Sequence, residues 1–322
     1  MKNVSLSRRK MLAGIGGITG LSLFPGQLFS QSAEETASAL SSVKHNFSFC
    51  LNTSTISGQK VGLVKEIEIA AKAGYDAIEI WIRSIDQYLA DGGNLKDLKK
   101  RIDDLGIKVV DAIGFAPWIV DDNDTRIKAL EQAKREMDML AQIGCPRLAA
   151  PPAGATNIGG LDLYKAAERF RALVELGQQM AVNPQLEVWG FSKNLSRLSE
   201  VLFVAAECGH PKTRILPDIY HLHKGGSDFD GLKLMSGPLI EIFHMNDYPA
   251  EPGRIEIQDK DRIYPGDGVA PVTDVLRDLH QGGTPKILSL ELFNRTLWEQ
   301  DALEVAKTGL AKMKESVALA IQ

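Results

Sequence analysis

The chain has 322 residues, of which 44% are hydrophobic, and its formal net charge is −4. This composition is typical of a soluble globular protein with a sizeable core. The mild negative charge argues against a nucleic-acid-binding surface, and no cluster of positive charge suits an anionic membrane surface. The three cysteines are widely spaced and odd in number, so we expect buried free thiols and no disulfide framework.

Residues 1–36 predict an export signal and a short linker that precede the fold. Arg8 and Arg9 are adjacent, and a stretch rich in Gly and Leu follows them as far as Phe24. That stretch is too short and too rich in glycine for a good membrane span. The pattern is similar to a twin-arginine signal, and an ordinary secretory signal is the alternative. We expect cleavage between Phe29 and Ala37, a periplasmic location and no stable membrane insertion after cleavage.

Strand and helix patterns alternate from residue 45 to residue 322 without a linker that would split the region into two domains. Short apolar runs predict eight strands: Phe47–Leu51, Ala77–Trp81, Lys108–Ile113, Arg147–Ala150, Leu186–Trp189, Arg214–Pro217, Ile240–Met245 and Ile287–Leu292. Apolar residues that return every three or four positions predict helices between most of them: Val61–Ala73, Leu95–Leu105, Arg126–Ile143, Leu163–Met180, Leu195–Cys208 and Val272–His280.

Glycines follow five of these helices, where a left-handed helix end favours this residue: Gly74, Gly106, Gly144, Gly209 and Gly282. Eight strands that alternate with helices predict a (β/α)8 TIM barrel. A doubly wound sheet is the alternative, but it usually has a phosphate-binding loop after its first strand, and none occurs at 52–58. The long segment from His244 to Val269 is rich in Pro, Gly and charge, so we expect it at the catalytic face.

Four polar residues stand at the ends of the last four predicted strands: Glu187, Asp218, His244 and Glu291. Parallel barrel strands share one rim at their carboxyl ends, and neighbouring strands lie about 4.8 Å apart. Three carboxylates and one imidazole from successive strands therefore predict one divalent metal site. Mn²⁺, Mg²⁺, Co²⁺ or Fe²⁺ suit these donors, with Mn²⁺ favoured and Zn²⁺ an alternative. Four unrelated polar residues at strand ends are the other interpretation.

Several segments resemble the xylose-isomerase-like barrel family of sugar isomerases and epimerases: LEVWG, PDIYH, FHMNDYP, DRIYPGDGVAP and SLELFN. Inosose isomerases, inosose dehydratases and ketose 3-epimerases are the members that the sequence resembles most. The resemblance begins near Phe47 and runs to the C-terminus, and its specific part lies between His244 and Asn294. The resemblance implies the same four metal ligands. Members of the family often form homodimers or homotetramers, so it also implies such an assembly.

The resemblance also implies roles for single residues. Glu187 and Glu291 match the acid/base pair of the family. His221 matches a histidine that contacts substrate oxygens, and Arg262 matches an arginine that steadies an anionic intermediate. Arg254 is the rival for that arginine, because the loop between His244 and the PGDG turn is long.

Three further positions remain open on the sequence alone. Lys193 stands where ketose 3-epimerases carry a glutamate, so this residue either contacts a keto oxygen or points to solvent. Trp118 is the first candidate among the four tryptophans for stacking on a sugar face, with core packing as the alternative. Glu79 in the second strand either faces the pocket or is a polar residue of the barrel.

These observations predict a divalent-metal-dependent isomerase or epimerase that acts through an enediolate on a keto-sugar or related polyol. A lyase or dehydratase that acts by β-elimination on a 3-keto-glycoside or inosose is the main alternative, because the same site supports loss of a leaving group. A metal-dependent phosphodiesterase would need more histidines and a basic surface. A sugar-binding protein without activity would not need two glutamates beside a metal. The expected partner is a small carbohydrate.

Overall fold

The computed structural model describes residues 45–235 and 237–322, so the predicted signal and its cleavage site lie outside the described residues. Eight strands form the predicted (β/α)8 TIM barrel: β1 Phe47–Asn52, β2 Ala77–Trp81, β3 Lys108–Ile113, β4 Arg147–Ala150, β5 Asn183–Glu187, β6 Ile215–Leu216, β7 Ile242–Met245 and β8 Lys286–Leu290. Their order in the sheet is β6-β5-β4-β3-β2-β1-β8-β7. Parallel bridges from Ile215 to Ile240 and from Asp218 to His244 join β6 to β7. The barrel is thus closed at the seam where two predicted metal ligands meet.

Ten α-helices are seen in the described part of the chain: α1 Leu63–Ala73, α2 Ile82–Ala90, α3 Leu95–Leu105, α4 Asn123–Ile143, α5 Leu163–Met180, α6 Leu198–Cys208, α7 Ile219–Gly225, α8 Val272–Gln281, α9 Arg295–Trp298 and α10 Ala302–Ala320. The six predicted helices are all present, with ends that differ by up to three residues. Four helices were not predicted: α2, α7, α9 and α10. No helix of the described residues is long and apolar enough to span a bilayer.

Two predicted details are wrong. Strand β5 was predicted as Leu186–Trp189, but it begins at Asn183 and ends at Glu187. Pro184 lies inside the strand and pairs with Leu148 in the parallel ladder, although proline has no N–H donor. Gly282 has a right-handed φ of −61°, and the left-handed residue after α8 is Gly283. The other four predicted glycines are left-handed as expected.

The core has two layers. The barrel interior is filled by residues from its strands: Cys50, Ala77, Trp81, Val110, Ile113, Ala149, Leu216 and Ile242. A larger apolar layer lies between the strands and the surrounding helices. The last helix approaches the barrel closely at Gly309, where a Cβ atom would lie 2.2 Å from a methyl group of Leu290. All three thiols are buried and free, which confirms the expectation for the cysteines.

Ion pairs between side chains hold the amino ends of three strands together. Glu241, just before β7, accepts from Arg147 Nε at 2.6 Å and from Arg214 Nε at 2.7 Å. These residues begin or precede β4 and β6, so the carboxylate ties three strands together. Charge at this end of a barrel contributes to stability, whereas chemistry is expected at the opposite rim.

The long segment after β7 folds back over the catalytic rim. The Asp247 carboxylate accepts from the backbone N–H groups of Gly266 and Gly268, both at 3.0 Å, and from that of Ala270 at 2.9 Å. A Cβ atom on Gly268 would lie 2.2 Å from the carbonyl oxygen of Tyr248, so only glycine fits this tight turn. The turn fixes the stretch before it, which carries Arg262.

Candidate active site

The predicted metal ligands converge at the carboxyl rim. Glu187 is the last residue of β5, and His244 lies in β7. Asp218 lies two residues after the end of β6, and Glu291 directly follows β8. Asp218, His244 and Glu291 each offer a ligand atom within 4.8 Å of the other two. Glu187 is not in this trio, but its side chain is buried beside it and lines the same cavity as Glu291.

The imidazole of His244 is held by a carboxylate that sequence analysis left undecided. His244 Nε2 lies 3.0 Å from Glu79 Oε1, and Glu79 is fully buried. The other carboxylate oxygen of Glu79 accepts from Ser289 Oγ at 2.6 Å and from Asn52 Nδ2 at 2.8 Å. Because a carboxylate can only accept, His244 carries its proton on Nε2 when neutral, and Nδ1 is free to bind a cation.

Three buried polar atoms at the rim lack hydrogen-bond partners: His244 Nδ1, Glu187 Oε2 and Arg262 Nε. The first two are atoms that can bind a cation. His244 Nδ1 lies 3.3 Å from Glu291 Oε2 and 3.7 Å from Asp218 Oδ2, without hydrogen-bond geometry to either. Unpaired buried polar atoms are costly, and a shared cation would satisfy His244 Nδ1 and Glu187 Oε2 together. The residues therefore fit a divalent metal ion.

Arg262 reaches the same carboxylates from the loop. Its Nη1 lies 2.9 Å from Asp218 Oδ2 and 2.7 Å from Glu291 Oε2, and the side chain is 1% exposed. Asp259 binds the other end of the guanidinium at 2.6 Å. Arg254 is exposed and donates to the Lys224 carbonyl at 3.2 Å, so the structure favours Arg262 over its rival.

His221 and Arg262 form a pair beside the trio. Asp218 is the N-cap of helix α7, and its Oδ1 accepts from the His221 N–H at 2.8 Å and so orients this residue. His221 Nε2 lies 3.1 Å from Arg262 Nη2. Burial lowers the pKa of His221 to about 3, so the ring is neutral at physiological pH. A guanidinium only donates, so Nε2 accepts from Arg262, and the backbone N–H of Gly190 donates to Nδ1 at 3.3 Å.

The pKa values of the two glutamates in the predicted acid/base pair are shifted in opposite directions. Burial raises the pKa of Glu187 to about 8, and the neighbouring carboxylates add to the shift. Burial also disfavours ionised Glu291, but the positive charges of His244 and Arg262 prevail and hold its pKa below the usual value. Although burial alone would lower it, Glu79 and Glu291 raise the pKa of His244 well above its usual value. A bound cation would favour the ionised form of every carboxylate around it.

A cavity of about 190 Å³ opens onto this group. Its polar lining includes Glu187, Glu291, His221 and Arg262. Its wall is aromatic and consists of Trp81, Phe115, Trp189, Phe191 and Phe293. Successive rings of this wall lie in contact, with centroids 5.0–6.0 Å apart. Polar groups beneath aromatic faces suit a ligand with hydroxyl groups and exposed C–H faces.

Two predicted substrate contacts do not line this cavity. Trp118 is 3% exposed, donates from Nε1 to the Pro151 carbonyl at 2.8 Å and packs against Phe170. It is a core residue, and its place in the aromatic wall is taken by Trp81 and Trp189. Lys193 is exposed on the loop after β5, where its backbone N–H binds the Thr156 carbonyl at 2.8 Å.

Three residues of the site were missed or left open by sequence analysis. Asn246 accepts from the Tyr220 N–H at 2.9 Å and donates to Asp218 Oδ2 at 3.1 Å. Asn52 and Glu79 hold Glu291 and His244 from the first two strands. Their common signal is a polar side chain at or near the end of an apolar run, which alone does not separate a site residue from a barrel residue.

Comparisons with known proteins show to which family the chain belongs. A family model described as "Xylose isomerase-like TIM barrel" matches residues 67–316. The chain belongs to this family. Among curated members, an inosose isomerase of Bacillus velezensis is 26% identical over 265 residues, which cover 80% of this chain and 93% of that protein. A 3-dehydroshikimate dehydratase of Pseudomonas putida is 23% identical over 234 residues, which cover 72% of this chain and 36% of that protein.

A solved structure of the family has the same fold. The crystal structure of an IOLI protein with a bound zinc atom matches with a TM-score of 0.77 at 22% identity, and covers 84% of this chain and 98% of that chain. The zinc belongs to that protein. Here, the trio of Asp218, His244 and Glu291 indicates a divalent metal site by its own donor set.

The contact between Glu79 and His244 gives a first prediction. Glu79→Gln removes the charge that orients the imidazole and raises its basicity, so we expect metal affinity to fall about 10–100-fold. Titration of chelator-treated protein with Mn²⁺ and with Zn²⁺ would measure this. Glu136→Gln is a matched control, because Glu136 is a buried glutamate bonded to Gln132 and not to the site. Equal affinity in both variants would contradict the role of Glu79.

Proposed function

We propose that this protein is a divalent-metal-dependent sugar isomerase or epimerase that acts through an enediolate on a keto-sugar or related polyol. The observation that carries the proposal is the placement of Glu187 and Glu291 together on the lining of one aromatic-walled cavity, beside the unpartnered Nδ1 of His244. A binding protein would gain nothing from two buried carboxylates whose repulsion must be offset.

Glu187, Asp218, His244 and Glu291 would hold the ion in this proposal, and we propose Mn²⁺, with Mg²⁺, Co²⁺, Fe²⁺ and Zn²⁺ as alternatives. When bound, such an ion supplies a positive charge that stabilises the oxyanion formed when a proton leaves the carbon beside a carbonyl. The carboxylate-rich donor set and the zinc atom of the IOLI protein support a divalent ion of this kind.

The residues of the chain divide the remaining work. One carboxylate of the pair Glu187 and Glu291 removes the proton from the substrate carbon, and the other returns a proton. Return to the same carbon gives an epimer, and return to the neighbouring carbon gives an aldose–ketose isomer. His221 and Arg262 line the cavity, where they are placed to bind substrate oxygens and to offset negative charge. The aromatic wall excludes water from these groups and orients the sugar ring.

A lyase or dehydratase is the second candidate. Its first step is the same removal of a proton, after which a β-leaving group departs instead of a proton being returned. The similarity to the 3-dehydroshikimate dehydratase of Pseudomonas putida favours this candidate. Export to the periplasm would favour an extracellular 3-keto-glycoside as substrate over a phosphorylated cytosolic sugar. We propose that the protein is exported by means of the two arginines at positions 8 and 9. Fractionation of producing cells would test this.

Exchange of solvent deuterium into keto-sugars tests the proposed function, because it detects loss of the proton whatever product follows. We expect exchange with at least one member of a panel of free ketoses, inososes and 3-keto-glucosides. Chelation should abolish the exchange, and added Mn²⁺ should restore it. Accumulation of an unsaturated product or release of an aglycone would select the lyase. No exchange with any substrate under any added metal would contradict both candidates.

Metal content separates the remaining classes. One ion per chain is expected, whereas a phosphodiesterase of this fold would carry several zinc ions and a sugar-binding protein would carry none. We also propose a homodimer or homotetramer, as the resemblance to the family implies, and the mass in solution by light scattering would test this.

A further inference from the structure

A second and larger cavity lies on the same rim of the barrel, next to the first. Its volume is about 700 Å³, within the range of about 300–1,000 Å³ typical of ligand sites. It lies between the 3₁₀ segment Thr53–Gln59, the start of α1 and helix α2. The catalytic cavity, at about 190 Å³, is below this range and suits one small ring.

Trp81 is the one described residue that lines both cavities, so it forms a wall that they share. Its indole N–H donates to Asn52 Oδ1 at 3.0 Å, and Asn52 Nδ2 in turn donates to Glu291 Oε1 at 3.2 Å. The guanidinium carbon of Arg83, a residue of the larger cavity, lies 3.9 Å from the centre of the indole ring. The tryptophan is thus fixed in place by the catalytic network and covered by a cation of the larger cavity.

Glu66 is the unexplained residue of the larger cavity. It lines the cavity from the first turn of α1, yet it is only 6% exposed, and its Oε2 has no hydrogen-bond partner. Burial of an unpaired carboxylate oxygen is costly, and the charge that acts on Glu66 is that of Arg83 in the same cavity. A ligand that donates a hydrogen bond would satisfy this oxygen.

The charges around the cavity indicate what kind of ligand that is. Three cations line it, namely Lys60, Lys65 and Arg83, and three anions, namely Glu66, Glu68 and Asp91. The balance favours neither an anionic nor a cationic ligand. Trp81 and Tyr88 add aromatic surface. Equal numbers of positive and negative side chains beside aromatic rings suit a neutral, hydroxyl-rich molecule.

We propose that the larger cavity binds the second ring of a two-ring carbohydrate whose first ring occupies the catalytic cavity, with Trp81 between the two. The substrate is then a glycoside rather than a free monosaccharide, and Glu66 and Arg83 select it. This inference rests on the proposed function for the first ring, but its binding site is separate from the reacting groups.

A comparison of two substrates tests the inference. The rate of deuterium exchange would be measured with 3-keto-cellobiose, which has two rings, and with 3-keto-glucose, which has one. We expect Glu66→Gln and Arg83→Met each to lower the ratio of kcat/KM for two rings over one ring about tenfold, through a higher KM for the disaccharide. Glutamine has the shape of glutamate, and Arg83 is exposed, so both variants should fold. Glu304→Gln, an exposed change on α10, is the control and should keep the wild-type ratio.

A ratio that stays at the wild-type value in both variants would overturn the inference. If the wild-type protein exchanges neither substrate, the proposed function fails, and calorimetry with unmodified cellobiose and glucose then tests the cavity alone. Tighter binding of cellobiose than of glucose, weakened about tenfold by Glu66→Gln, would support the cavity without the proposed reaction. Equal binding of both sugars, or none of either, would overturn the inference as well.

Discussion

Replacement of either glutamate of the pair is expected to reduce proton exchange by about 10³-fold, within the range of about 10²–10⁴ for a general acid or base. Glutamine keeps the shape of Glu187 or Glu291 but neither accepts nor returns a proton. Deuterium exchange into the best keto-sugar of the panel measures the loss. Near-native exchange in either variant would remove that residue from the acid/base pair.

The two substitutions should differ in their effect on stability. Without metal, Glu187 has an unpartnered oxygen and a pKa of about 8, so in the chelator-treated protein the neutral glutamine resembles the state that the folded chain already favours. Glu291 is paired with Arg262 at 2.7 Å, so Glu291→Gln leaves a buried cation with less compensation. Glu175→Gln on the exposed face of α5 is the control for both. In denaturant unfolding, we expect a lower free energy of unfolding for Glu291→Gln than for Glu187→Gln.

Replacement of Arg262 by methionine is expected to destabilise the chelator-treated protein by about 3–5 kcal/mol, the usual cost of breaking a buried ion pair. The guanidinium offsets the charges of Asp218, Glu291 and Asp259 in a position that is 1% exposed. Without it, two buried carboxylates face each other beside His244. Denaturant unfolding of the chelator-treated variant and wild type gives the difference.

Metal addition distinguishes this explanation from a simple packing defect. A divalent ion would offset the same carboxylates, so we expect added Mn²⁺ to stabilise Arg262→Met more than the wild type. Arg277→Met is a matched control, because Arg277 pairs with Asp274 on the surface and should tolerate the change. An Arg262→Met protein that is as stable as the wild type with chelator present would contradict the electrostatic role.

The barrel could be predicted because its signals are local. Apolar runs of strand length alternate with helices that end in glycine, and the eight strands follow from that pattern alone. Helix α10 was missed, since Gly309 interrupts its pattern for a reason found only in the packing: Leu290 leaves no room for a Cβ atom there. Helix α7 was missed because it is short and its N-cap is Asp218, a residue interpreted as a metal ligand rather than as a helix cap.

The gathering of the predicted ligands at one rim also followed from sequence, because residues at the ends of parallel strands have to meet. The supporting contacts did not. That Glu79 holds His244 depends on the inward direction of one residue in β2, and the choice of Arg262 over Arg254 depends on how a long loop folds on Asp247. Trp118 does not line the cavity, because nearness to a strand end does not say on which side of the barrel wall a ring packs.

Anomalous diffraction from crystals grown with Mn²⁺ tests the central claim most directly. We expect a single peak at the rim, bound by His244 Nδ1 and by oxygens of Asp218, Glu291 and Glu187, each at about 2.0–2.3 Å. The position of Glu187 is decisive, since only the other three lie within 4.8 Å of one another. The absence of a peak between these side chains, at a Mn²⁺ concentration that saturates the protein in solution, would contradict the account.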